Sequence, residues 1–197
     1  MKKIFAIAFM AVATLTANAQ VFIGGEIGYT NTKSTAETTV ANTTVSTDGT
    51  VNEFAFKPEI GYNFNEDWAI AAKLGYAHAS GDGVSNSNTW SINPYVRYTF
   101  VHAGNFSVFC DGGIAYSSKH FNGTTDYRTN TNTFSIGVNP GIAYKLSDKV
   151  SILAHFGDLS YSTSWYKTKG TVELKNSTDK FNLSAWDSMS FGLEIEL

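Results

Sequence analysis

Three segments of the sequence repeat one pattern, and every proline of the chain lies in them. They read Phe56-Lys57-Pro58-Glu59-Ile60-Gly61-Tyr62-Asn63-Phe64, Ile92-Asn93-Pro94-Tyr95-Val96-Arg97-Tyr98-Thr99-Phe100 and Val138-Asn139-Pro140-Gly141-Ile142-Ala143-Tyr144-Lys145-Leu146. In each, proline is followed by an aliphatic residue at +2, tyrosine at +4 and Phe or Leu at +6. A period of two belongs to an extended strand with one apolar and one polar face. Proline cannot donate to a ladder and normally marks an edge or a bulge. Alternate strands of a meander cannot all be edges. Three equivalent mid-strand prolines therefore point to a repeated bulge or kink that helps a sheet curl shut.

Eight such strands are legible, at 21–31, 52–64, 68–79, 89–100, 106–116, 133–146, 150–161 and 181–197. Long polar connections (32–51, 80–88, 117–132 and 162–180) alternate with short ones at 65–67, 101–105 and 147–149. The long ones are rich in Thr, Ser, Asn and Gly, the composition of solvated loop. An even number of antiparallel strands with short turns at one end and long loops at the other is the pattern of an outer-membrane barrel. Strands of this length also cross a bilayer's hydrocarbon core when tilted.

The phase of each strand says which face is which. On the second, Phe54, Phe56, Pro58, Ile60, Tyr62 and Phe64 alternate with Glu53, Ala55, Lys57, Glu59, Gly61 and Asn63. Aromatic residues gather at the strand ends. Tyr62, Phe64, Trp68, Tyr98, Phe100 and Tyr144 lie beside the short turns, and Tyr29, Tyr76, Trp90 and Tyr116 near the long loops. Two such girdles are expected at the two membrane–water interfaces. From Trp90 to Tyr98 a strand runs about 26 Å, or roughly 20 Å once tilted, against an apolar band of about 25 Å. The apolar phase therefore faces lipid, and the polar phase faces a lumen.

The polar phase mixes small residues with charges: Gly24, Glu26 and Gly28; Ala71, Lys73 and Gly75; Asp111 and Gly113; Ser190, Gly192 and Glu194. Small residues suit an eight-stranded barrel, whose interior is just wide enough for side chains to fill. The lumen charge network expected from these phases comprises Glu26, Lys57, Glu59, Lys73, Arg97, Asp111, Lys145, His155 and Glu194. Hairpin arithmetic sharpens this. A turn centred on Glu66 sets Glu59 opposite Lys73, and one centred near 104 sets Arg97 opposite Asp111 or one step diagonal to it. Charges enclosed in a barrel must pair, because an isolated one costs several kcal/mol.

Compartment follows from the first residues. Met1-Lys2-Lys3 is a positive n-region, Ile4 to Leu15 an apolar stretch too short to span, and Ala17-Asn18-Ala19 a cleavage site. Residues 1–19 are expected to be a removed signal peptide and 20–197 the barrel domain. Losing Lys2 and Lys3 takes the basic residues from 14 to 12 against 17 acidic ones, a net charge of −5. That argues against nucleic acid as a partner, which would demand clustered Lys and Arg. The single cysteine, Cys110, has no disulfide partner and reads as a small hydrophobe.

With signal peptide, eight alternating strands, three Pro-x-[Ile/Val]-x-Tyr-like copies and a terminal strand of Met189, Phe191, Leu193, Ile195 and Leu197, the chain resembles the small outer-membrane β-barrel proteins of the OmpX/OmpA-barrel type. It departs from them in ending on Leu197, where such barrels commonly end in Phe. The resemblance implies an all-β, eight-stranded antiparallel up-and-down transmembrane barrel in a Gram-negative outer membrane, with both termini periplasmic. It implies outer-membrane lipid and the outer-membrane assembly machinery as partners, and a monomer. It lends no support to the wall-anchoring role of proteins carrying a peptidoglycan-binding domain.

No cofactor or metal is expected, since no phosphate loop, nucleophile elbow or metal spacing appears; Asp82-Gly83 and Asp126 fall far short of a calcium loop. His78-Ala79-Ser80 superficially matches the His-x-Ser of lipid A deacylases, with Asp82 as the acid it would need. A polar strand end explains it more simply. His102 and His120 fall in connections, and His155 points into the lumen. The function expected is therefore non-enzymatic, envelope-structural or surface-interacting, with a side-chain-filled lumen and an external ligand, if any, at loops 32–51 and 162–180. A narrow pore is the alternative and a lipid-modifying enzyme the remote one.

Overall fold

Each of the eight alternating segments forms a strand, and each hydrogen-bonds to the next. A computed structural model describes residues 20–40, 43–81, 86–122, 129–168 and 174–197. The proposed signal peptide, Asp82 and Asp126 lie outside these residues. The strands are β1 (Gln20–Val40), β2 (Thr43–Asn63), β3 (Trp68–Gly81), β4 (Asn86–Ala103), β5 (Phe106–Asn122), β6 (Thr129–Lys145), β7 (Val150–Thr168) and β8 (Leu174–Glu196). All pair antiparallel in chain order, and β8 returns to β1, so the sheet closes into a barrel. The closing ladder is the shortest, from Phe22↔Glu196 to Ile27↔Phe191.

The alternation resolves as apolar outward. Leu74 is 58% exposed while its neighbour Lys73 is 8% exposed. Outward residues of the two girdles pair across strands, Trp68 with Tyr98 at a ring separation of 4.5 Å and Tyr76 with Trp90 at 4.7 Å. Tyr29, Phe64, Phe100, Tyr116 and Tyr144 are exposed on the same wall. Tyr62 is half-buried, its ring edge-on to Phe64.

The register agrees with the hairpin arithmetic, with Glu59 opposite Lys73 and Arg97 opposite Asp111. The β4–β5 turn holds this register through a bulge at Phe100 and through Gly104, whose φ of 63° is left-handed. At the β2–β3 turn the Asn65 side chain accepts from the amides of Asp67 and Trp68, an Asx turn.

Two expectations need correction. The long connections are largely ladder. β1 and β2 pair without a break from Gln20↔Asn63 to Val40↔Thr43. Thr and Val in this stretch favour a pleated strand as readily as Thr and Asn suggest a loop. The hairpin therefore continues well past Tyr29 of the girdle.

The prolines also act differently from a repeated bulge. Each interrupts the ladder on one side only, toward β3, β5 and β7 in turn. At Pro58 and Pro94 the register resumes unshifted, so nothing bulges. Only the third interruption carries a register shift, and there Gly157 on β7 adopts φ 81°. The residue before proline explains the tolerance. Asn93 Nδ2 donates to the Ile114 carbonyl at 2.7 Å, the acceptor that Pro94, lacking an N–H, leaves unserved. Asn139 likewise reaches the Gly157 carbonyl at 3.4 Å.

Candidate functional site

The lumen is built in three layers. Nearest the short turns, Phe22, Phe109 and Leu153 are almost wholly buried and lie on the otherwise polar inward phase. Phe22 is the register partner of Gly61, and Phe109 of Gly141. Each glycine is a socket: a Cβ on Gly61 would run into the Phe22 ring, and one on Gly141 into the Phe109 ring. With Ala69 and Ala71 these rings form an apolar floor. Gly61→Val is expected to lower stability by about 1–3 kcal/mol through overpacking. Adding Phe22→Ala should return part of that loss, so urea unfolding of the double variant should show less than the additive cost.

Above the floor lies a bar of ions. Arg97 grips Asp111 with two parallel bonds, Nε to Oδ1 at 2.7 Å and Nη2 to Oδ2 at 3.0 Å, and reaches Glu194 with Nη1 at 2.8 Å. Lys73 Nζ sits 2.5 Å from Glu26 Oε1 and 3.8 Å from both Glu59 and Asp111. The Tyr95 hydroxyl donates to Glu59 at 2.9 Å and accepts from Arg97 at 3.3 Å. His155 turns Nε2 to Asp111 at 2.8 Å and Nδ1 toward Glu26 at 3.3 Å, the second without hydrogen-bond geometry. Arg97 also lies over the Phe109 ring at 4.1 Å, tying the bar to the floor. All seven charged members are at least nine-tenths buried.

Two of the nine expected lumen charges stand apart. Lys145 is exposed at the end of β6, its backbone bonded to the neighbouring turn. It is the last residue of its strand and reaches water before it reaches the bar. Lys57, opposite Glu26 in register, forms no ion pair among the described residues and projects into the space above.

That space is the third layer, and it corrects the expectation of a filled lumen. A cavity of about 720 Å³ rises from Glu26, Lys73, Asp111 and His155 toward the long hairpins. Its wall is Gly28, Ala55, Gly75, Ala77, Ser91, Gly113, Ala115, Ser117, Ser135 and Gly137, side chains too short to meet across the barrel. Asp158, presented by the Gly157 bulge, lines it and accepts from Asn139, Ser160 and Asn182. The lumen is therefore a polar vestibule over a charged bar and an apolar floor.

Sequence reasoning missed Phe22, Phe109 and Leu153. Their signal was present: a large apolar residue on the polar phase, each of the three opposite a glycine, Gly61, Gly141 and Gly192. The candidate His78 pairs with an amide rather than an acid, its Nδ1 lying 2.7 Å from Asn88 Oδ1. His102 pairs with Asp67 at 2.9 Å on the short-turn rim. Among the described residues no cluster of His, Cys, Asp and Glu is arranged to hold a metal ion.

Among solved structures, the chain is similar to Neisserial surface protein A, at 13% identity and a TM-score of 0.51, over 90% of this chain and 97% of that one. It is also similar to the outer membrane protein OprG from Pseudomonas aeruginosa, at 11% identity and a TM-score of 0.54, over 91% and 97%. At these identities the likeness is one of fold. No curated protein matches the sequence. The match that defines its kinship is to the model of the outer membrane protein beta-barrel domain, which spans residues 4–186, and the chain belongs to that outer-membrane family.

Proposed function

We propose that this outer-membrane barrel is a non-enzymatic, non-conducting surface protein whose work is done by its outer wall and its extended hairpins. The observation that carries this reading is the double seal of the lumen, ions locked by Arg97 and Lys73 over Phe22, Phe109 and Leu153. Charges held this way stay in place only while every partner remains. On this reading residues 1–19 are removed on export, both termini face the periplasm, and the long hairpins face outward. The barrel inserts as a monomer with the help of the assembly machinery. The extended β1–β2 and β7–β8 hairpins are where an external ligand would meet it.

Planar-bilayer recording tests the seal. The native barrel is expected to give no steady conductance, and Phe22→Ala with Phe109→Ala and Arg97→Ala is expected to give discrete, ion-selective steps. Steps from the native barrel would move a second reading to first place. That reading is a narrow pore, and the 720 Å³ vestibule favours it, because only the lower layers stand between the vestibule and the short-turn side.

A further inference from the structure

One residue pair beyond the outer girdle, the lipid-facing wall carries a hydrogen-bonded collar. The Tyr29 hydroxyl donates to Asn52 Oδ1 at 2.8 Å, Tyr76 to Asn88 Oδ1 at 3.0 Å and Tyr116 to Asn132 Oδ1 at 3.2 Å. The same geometry thus recurs on three hairpins, always with a girdle tyrosine bonding an asparagine on the following strand. Between them runs one unbroken rung, in which His78 on β3 is opposite Asn88 on β4, Asn88 is opposite His120 on β5, and His120 is opposite Asn130 on β6. His78 and His120 each turn Nδ1 to an asparagine Oδ1, at 2.7 and 2.8 Å.

These bonds fix what the collar offers. With their Oδ1 atoms occupied from below and beside, Asn52, Asn88, Asn130 and Asn132 present Nδ2 groups that form no hydrogen bond within the described structure. An amide NH2 carries two donor hydrogens. Over β3 to β6 the described outward positions beyond the girdle hold Ser, Asn and His and no carboxylate. Among the described residues, the outward position of Asp179 on β8 carries a carboxylate, and it is bonded to Thr163. Among the described residues, one flank of the barrel therefore carries a row of donors without opposing negative charge. Directly below are Tyr76, Trp90, Tyr116 and Phe134, and below those Leu74, Ile92, Ile114 and Ile136, all exposed.

We propose that this flank binds the phosphorylated saccharide headgroup of an outer-leaflet glycolipid. The asparagine amides donate to phosphate and sugar oxygens, and the acyl chains lie along the apolar strip beneath. A headgroup joined to acyl chains engages both levels at once, which a free anion or a soluble sugar does not. Hydrogen bonds to a charged acceptor are the stronger kind, and aromatic rings with one wet edge suit the headgroup boundary. The inference concerns the outer wall alone and stands whether or not the lumen conducts.

Native mass spectrometry of the folded barrel tests it. Micelles would be doped in turn with a bis-phosphorylated acylated disaccharide, its dephosphorylated form, and phosphatidylglycerol. The native barrel is expected to retain the bis-phosphorylated lipid over the other two. Asn88→Asp with Asn130→Asp and Asn132→Asp keeps every acceptor used by Tyr76, Tyr116 and the histidines but turns the donors into anions. It should lose retention of that lipid about tenfold while phosphatidylglycerol is unchanged. Gel mobility without boiling reports folding, and single Asn88→Asp and Asn132→Asp variants give the same ranking if the triple variant does not fold. Equal retention by native and variant barrels overturns the proposal. So does native preference for phosphatidylglycerol, or displacement of the glycolipid by inorganic phosphate at equal concentration.

Discussion

Arg97→Met is expected to lower the stability of the barrel by about 3–5 kcal/mol, the loss that follows when one partner of a buried ion pair is removed. The magnitude comes from what is left behind. Asp111 loses two parallel bonds and Glu194 its only described cation, while Glu59 and Glu26 still compete for Lys73. Four carboxylates then share Lys73 and His155 in a layer whose members are at least nine-tenths buried. Arg97→Lys restores the charge without the fork and should fall between native and methionine, because a point charge cannot bond both oxygens of Asp111 while reaching Glu194. Equilibrium urea unfolding in lipid vesicles, followed by tryptophan fluorescence, measures all three. Pairing Arg97→Met with Asp111→Asn should cost less than the sum of the single changes. A loss below about 0.5 kcal/mol for Arg97→Met would mean that the layer is hydrated, and the seal would lose its main support.

This layer could be read in large part from the sequence because a strand carries its phase in every second residue. With Glu59 on the polar phase, the length of the Asn65-Glu66-Asp67 turn makes Lys73 its partner. Arg97 and Asp111 followed in the same way. What phase cannot give is radius. Gly28, Gly75, Ser117 and Gly137 occupy the same face as Gly61 and Gly141, yet they surround a vestibule while Gly61 and Gly141 receive aromatic rings. The difference lies in one residue across the ladder, Phe22 or Phe109, whose ring lies over the glycine opposite it. A small residue on the inward phase marks a filled lumen only when its register partner is large. Strand ends escaped for a related reason. Nothing in a Thr-rich stretch tells a solvated loop from a solvated ladder, and only the partner strand decides. Phase alone puts Lys145 inside, although a strand's last residue is free of the lumen.

Val96→Arg is the sharpest test of which face meets lipid. Val96 and Ile92 flank Pro94 midway between Trp90 and Tyr98, and both point outward. A guanidinium at that depth is expected to cost about 2–4 kcal/mol in a bilayer, while the same change at Phe100, within the short-turn girdle, costs about 0–1 kcal/mol. A packed interior would give no such gradient, because the penalty for a buried charge follows local packing and not distance from a membrane plane. Thr89→Arg on the same strand serves as the inward control. Its side chain opens into the vestibule, where water and room are available, and it should change stability by no more than about 0.5 kcal/mol. Urea titration of the three variants in vesicles gives the comparison directly. Equal penalties at positions 96 and 100, or a larger one at 89 than at 96, would reverse the assignment of faces. The ordering 96, then 100, then 89 requires a bilayer around the apolar phase, with water on the other side of a wall one residue thick.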